Sequence, residues 1–184
     1  MKKLFLPFVL IALFVMPSMG QNTFNKGDKV LNLTAGLGNR LYSGAAYSKI
    51  TPALAGSFEV GVKDDLFDEN SSLGIGGYVG YTGAEYNFGP EYGWKYTDII
   101  IGARGSVHYQ FIESLDSYAG LMLGYDIVSS KTFGTGTVVG NATASGFDFA
   151  LYVGGRYYFT EKIAGLLELG YGIAYFNVGV AIKL

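Results

Sequence analysis

The chain has no cysteine in 184 residues, a single histidine and only four prolines. Without thiols there is no disulfide framework and no thiolate metal site. One histidine, His108, leaves little imidazole for metal binding or acid–base catalysis. Charged residues make up only 15 % of the chain, with 13 basic residues against 15 acidic ones. That balance gives no support for nucleic-acid binding, which needs a basic surface. Nor is there a transmembrane helix beyond the N-terminus. Although 49 % of residues are hydrophobic, no later apolar run approaches the roughly 20 residues a spanning helix requires.

The first 20 residues read as a secretory signal. Lys2 and Lys3 give a positive start, Leu4 to Met16 is apolar apart from Pro7, and Pro17-Ser18-Met19-Gly20 supplies small residues before a cleavage site after Gly20. No cysteine follows that site, so a lipid-anchored N-terminus is excluded. The expected mature chain, residues 21–184, is one domain by length. Its formal charge is −4, with 11 basic residues once Lys2 and Lys3 are removed.

From Leu31 onward apolar side chains recur at every second position, and glycine and charge fill the alternate positions. This is the period of a strand, not of a helix. Eight segments follow it: 29–38, 53–63, 73–82, 97–110, 118–128, 146–158, 165–173, and the C-terminal segment that follows a tight turn near Ala174. Each is long enough to cross a bilayer when tilted. Connections alternate between long (39–52, 83–96, 129–145) and short (64–72, 111–117, 160–164), except for the last. The polar parity is too rich in glycine to be a solvated coat. The pattern predicts an all-β fold: an eight-stranded antiparallel up-and-down transmembrane β-barrel with lipid outside, a narrow polar lumen and interfacial aromatic girdles. Long connections and termini are expected at opposite ends.

Three segments carry a family likeness: Arg156-Tyr-Tyr-Phe-Thr-Glu-Lys-Ile163, Glu168-Leu-Gly-Tyr-Gly172 and Tyr175-Phe-Asn-Val-Gly179. On these, and on its whole mature length, the chain resembles the small eight-stranded outer-membrane barrels, the OmpA/OmpX-like group. The resemblance implies an outer-membrane location in a Gram-negative cell envelope, contact with outer-membrane lipid and lipopolysaccharide, and insertion by the barrel assembly machinery. That machinery reads a C-terminal strand of alternating apolar residues. Such proteins usually end in an aromatic residue, whereas this chain ends in Leu184. The resemblance carries over no catalytic residue.

Depth along the strands sorts the inward charges into two groups. Glu59, Lys63, Arg104, His108, Arg156, Glu168 and Lys183 fall toward the end with the termini. Their mixed signs suit pairing across the lumen, as a structural plug or as a gate for small solutes. Asp98, Asp126 and Asp148 fall toward the other mouth, with no inward cation expected beside them. Oxygen ligands of this kind suit a divalent cation such as calcium, or a cation-selective pore. The connection 83–96 carries Tyr86, Phe88, Tyr92, Trp94 and Tyr96, a composition common at recognition surfaces and also in self-packed loops.

No Gly-x-Ser-x-Gly elbow accompanies His108. The chain therefore reads as a non-enzymatic barrel with a structural or surface-interaction role, and no cofactor is expected. The alternatives are a small cation-preferring porin and, less favoured, a lipid-modifying enzyme. A soluble lipocalin-like carrier would reverse the parity, with apolar residues inside. Asn32, Asn70 and Asn141 open N-x-[ST] patterns that are read as chance.

Overall fold

The computed structural model describes residues 23–89, 92–134 and 144–184. The expected signal segment and Asn141 lie outside the described residues. The remainder forms β1 (Lys29–Asn39), β2 (Tyr47–Asp64), β3 (Ser71–Gly89), β4 (Tyr92–Ile112), β5 (Leu115–Phe133), β6 (Gly146–Tyr158), β7 (Ile163–Tyr171) and β8 (Ala174–Lys183). Each strand pairs antiparallel with its sequence neighbours. β1 also pairs with β8, from Val30 opposite Lys183 to Asn39 opposite Ala174, so the sheet closes into a barrel. Closure satisfies the backbone without solvent, which a lipid environment demands.

The outward parity is apolar on every strand. Leu33, Leu54, Ile75, Ile101, Leu121, Val153, Leu167 and Val180 are each about half exposed or more. A soluble protein does not leave a continuous apolar belt of this size uncovered. The belt is the lipid-facing surface of a transmembrane barrel. The inner parity instead buries Glu59, Ser72, Thr82, Asp98, Ser106, His108, Asp116 and Arg156.

The structure departs from the sequence-based expectation in three places. First, β3 and β4 run on through most of the supposed connection 83–96, so Tyr86, Phe88, Tyr92 and Trp94 are strand residues rather than loop residues. β2 and β5 are likewise longer than expected. Turn-like Gly83, Asn87 and Gly89 masked a hairpin whose continuous pairing, from Gly83 opposite Thr97 to Asn87 opposite Gly93, overrides local propensity. Second, β2 carries a register shift between Gly61 and Lys63. The irregularity places Lys63 opposite Leu73 and turns it to the exposed outer side, away from the lumen. Third, β7 ends at Tyr171, and Ile173 sits buried in the turn instead of facing lipid.

The outer face of the extended strands marks where the lipid belt ends. Successive outward rows read Tyr81–Ile99–Ile127, then Gly83–Thr97–Ser129, then Glu85–Lys95–Lys131. The change from apolar to charged within two rows sets the upper limit of the belt, and the rest of β3–β4 stands beyond it. An arginine placed at Leu121, midway down the belt, is expected to destabilise the barrel by roughly 2–4 kcal/mol. The same change at Asn87 meets no lipid and is expected to cost only its side-chain hydrogen bond to Ser48 (2.8 Å), roughly 0.5–1.5 kcal/mol. Urea titration of folding into lipid vesicles, followed by gel mobility, checks both.

Candidate functional site

The lumen is filled in layers, beginning at the end with the termini. Residues 23–28, ahead of β1, fold back into the opening. Gly27 N–H donates to the Gly61 carbonyl (2.9 Å), Gly61 N–H donates to the Asp28 carbonyl (3.0 Å), and the Ser72 hydroxyl donates to the Phe24 carbonyl (2.9 Å). A Cβ at Gly61 would meet the Asn25 carbonyl oxygen at 2.1 Å, so the segment seats only because that residue is glycine. Phe24 is driven into the lumen, 3 % exposed, with Val30, Tyr158, Ala164, Leu166 and Ala181 around it. Lys183 holds the segment from the rim, bonded to Asp28 (2.6 Å) and to the Thr23 carbonyl (3.3 Å).

Phe24 lies flat on His108, with ring centroids 4.0 Å apart. Beneath it is a closed ring of four side chains from β2, β4, β5 and β6. Glu59 Oε1 meets His108 Nε2 (3.1 Å), and His108 Nδ1 meets Asp116 Oδ1 (2.8 Å). Arg156 donates to Asp116 Oδ2 (3.0 Å) and, by its other terminal nitrogen, to Glu59 Oε2. No member has more than a few per cent of its surface exposed. Gly74 leaves room for the ring, since a Cβ there would lie 2.7 Å from Glu59 Oε1.

One layer further in, Arg104 donates to Glu168 Oε2 (2.6 Å) and lies 3.8 Å from the centroid of the Tyr152 ring; the Tyr118 hydroxyl donates to the same carboxylate (3.2 Å). Above that pair is an apolar layer of Ile100, Met122, Ala150 and Ile173. The sequence reading expected a polar lumen throughout, and the apolar band is a difference from it. A cavity of about 20 Å³ remains between the two layers, lined by Tyr78, Arg104, Tyr152, Glu168 and Ile173. It has room for about one water molecule.

The opposite mouth holds Asp98, Asp126 and Asp148, but not as three free acids. Asn39 closes a turn by accepting from the Leu41 and Tyr42 backbone N–H groups, and this folds the connection 40–46 inward. Arg40 thereby reaches Asp148 Oδ1 (2.5 Å), donates Nε–H to the Gly172 carbonyl (2.8 Å) and stacks 4.8 Å above the Tyr171 ring. The Tyr42 hydroxyl donates to Asp98 Oδ2. Burial first, and then the Asp98 carboxylate, push the Tyr42 phenol far above its usual range, so it remains a donor. One expectation is thus corrected: an inward cation, Arg40, does accompany these acids. Among the described residues, no group of three or more His, Cys, Asp or Glu side chains is placed to hold a metal ion.

Beyond the mouth, the inner parity of the extended hairpin becomes aromatic. Tyr42 contacts Tyr47 (5.2 Å) and Tyr96 (5.8 Å), Tyr47 contacts Tyr86 (5.1 Å), and Tyr86 contacts Phe88 (5.2 Å). Trp94 bridges Phe88 (4.8 Å) and Tyr96 (6.1 Å), and Tyr92 stacks on Phe88 (6.3 Å). The five aromatic residues singled out from sequence in this segment therefore stand together in one cluster.

Of the seven expected lumen charges, Glu59, His108 and Arg156 meet in the ring. Arg104 and Glu168 form a separate pair, Lys183 joins the N-terminal segment, and Lys63 leaves the lumen. Sequence reasoning missed Phe24, Asp116, Arg40 and Tyr42. Asp116 shares the parity of Tyr118 and was legible by extending that strand two residues. Phe24, Arg40 and Tyr42 lie off the strands, where alternation says nothing.

No protein-family description matches the chain, and no curated relative matches it. Solved structures that it matches include Ail, the attachment invasion locus protein of Yersinia pestis, at 12 % identity over 86 % of this chain and 95 % of that one, with a TM-score of 0.49. A designed transmembrane β-barrel matches at 14 % identity over 87 % and 98 %, with a TM-score of 0.45. The neisserial surface protein NspA matches at 13 % identity over 85 % and 95 %, with a TM-score of 0.42.

Removing one partner of the buried ring strands the others. Arg156→Ala is expected to cost roughly 3–5 kcal/mol, because Glu59 and Asp116 lose their shared cation. Equilibrium unfolding in detergent measures this. Gly61→Ala is expected to leave the barrel folded but to unseat residues 23–28, seen as faster amide exchange in that segment alone.

Proposed function

We propose that the chain is an integral outer-membrane protein of a Gram-negative bacterium that works by presenting a surface, not by conducting solutes or by catalysis. On this reading residues 1–20 direct export and are cleaved after Gly20. The barrel assembly machinery then inserts residues 21–184 into outer-membrane lipid beside lipopolysaccharide, with the termini periplasmic and the β3–β4 extension outside. No nucleic acid or cofactor takes part.

The carrying observation is that the lumen is obstructed at successive depths while the far end is built outward. Phe24, the four-member ring, the Arg104–Glu168 pair and the apolar layer lie in series. A charged network of this kind resists opening, because separating any pair leaves a charge stranded in a dry site. His108 spends both ring nitrogens on carboxylates and its face on Phe24, which leaves it no proton to exchange with a substrate. That supports a role without chemistry.

The rival reading is a small porin whose lumen charges re-pair to pass cations. Single-channel recording of residues 21–184 in a planar bilayer separates the two. A folded barrel without conductance steps is the expected result. Stable cation-selective steps, raised further by Arg104→Ala, would overturn the closed-barrel reading.

A further inference from the structure

The β3–β4 extension inverts the arrangement of an ordinary exposed hairpin. Its outer face carries Glu85, Lys95 and, on β5, Lys131, with Glu85 paired to Lys49 at 2.8 Å. Its inner face, overhanging the mouth, carries Tyr86, Phe88, Trp94 and Tyr96. No lipid is called for at this height, since the outer face has already turned polar. Phe88 is nonetheless 45 % exposed. Aromatic area left open on the face that looks over an opening is the composition of a recognition surface.

Charge selects the occupant. With Asp148 bonded to Arg40 and Asp98 accepting from the Tyr42 hydroxyl, the floor of the mouth keeps an acidic character centred on Asp98 and Asp126. Asp126 Oδ1, the Trp94 indole N–H and the Ser130 hydroxyl are shielded from solvent and have no hydrogen-bond partner. Anionic ligands are disfavoured here, and an organic cation is favoured by both the acids and the ring faces. Arg40 displays that chemistry within the chain, with its guanidinium bonded to Asp148 and the Gly172 carbonyl and stacked on Tyr171. The spacing suits a polypeptide. Rings on alternate strand positions recur at about 6.6–6.8 Å, which is also the repeat of same-side residues in an extended peptide.

We propose that the aromatic inner face of the β3–β4 extension, together with the acidic mouth beneath it, is a docking site for an extended basic polypeptide segment. Its Lys or Arg side chains lie over Tyr86, Phe88, Trp94 and Tyr96, and the leading cation enters toward Asp126. The proposal rests on the surface-presentation reading, since the partner must approach from the side of the extension.

Trp94 is the only tryptophan in the chain, so its emission reports on the site directly. The mature barrel in zwitterionic detergent micelles is titrated with a tryptophan-free nonapeptide of alternating Arg and Ser. Controls are the Glu–Ser peptide of equal length and spermine. The expected result is a saturable change in Trp94 emission with the basic peptide alone. The affinity is expected to fall about tenfold or more in Phe88→Leu combined with Asp126→Asn, a pair that keeps bulk and shape. Binding unchanged in that variant, equal response to the acidic peptide, equal affinity for spermine, or no response at millimolar peptide would each overturn the proposal. Because emission is read without any need for conduction, failure here stays distinct from failure of the closed-barrel reading, which the bilayer recording tests.

Discussion

The pairing of β1 with β8 is the constraint on which the rest depends. Once the sheet closes, each strand has one face toward lipid and one toward a narrow lumen, and within the lipid belt no backbone group is left at an edge. Every charge excluded from the lipid face must then be housed inside, where water is scarce. That is why the inner charges come as networks. A lone carboxylate at the position of Asp116 would be prohibitively expensive to bury, whereas between His108 and Arg156 it is fully engaged.

The narrowness of the lumen sets the second tier of choices. Positions with glycine on the inner parity mark places where something large must pass. At Gly61 it is the backbone of the N-terminal segment, and at Gly74 it is the Glu59–His108 contact. The large side chains that use this space come from other strands or from outside the strands altogether. Phe24 fills one opening from the N-terminal side, and Arg40 and Tyr42 fill the other from the first connection. The two ends are thus closed by chain segments and the middle by strand side chains, and the cavity between the Arg104–Glu168 pair and the apolar layer has room for about one water.

Strand number, order, closure and facing were legible in the sequence because they depend on a period of two, which alternating residues display directly. The same signal placed Glu59, His108 and Arg156 on the inner wall. It failed where the period is broken or ceases to be apolar. The shift after Gly61 reverses the side of Lys63, and no residue type announces it. The β3–β4 extension alternates aromatic against polar rather than apolar against glycine. With Gly83, Asn87 and Gly89 interspersed it reads as loop, although the pairing of the two strands continues to Gly89 opposite Tyr92. Partners across the lumen, such as Arg40 with Asp148, are separated by more than 100 residues. Local pattern has no means of matching them.

The extension also shows how one parity can serve two ends. Within the lipid belt the inner face is crowded and must satisfy its charges, so it holds ion pairs. Above the belt the neighbouring strands β1 and β6 to β8 have ended, while β2 to β5 continue. A sheet of three or four strands standing in water still needs one apolar face to hold its side chains in place. Rings in mutual contact at 4.8–6.3 Å supply that order on the inner face, while Glu85, Lys95 and Lys131 keep the outer face soluble. The same rings are therefore both the stiffening of the extension and the surface it offers. A replacement that keeps apolar bulk and removes the ring face is the change that separates the two roles, since packing survives it and cation stacking does not.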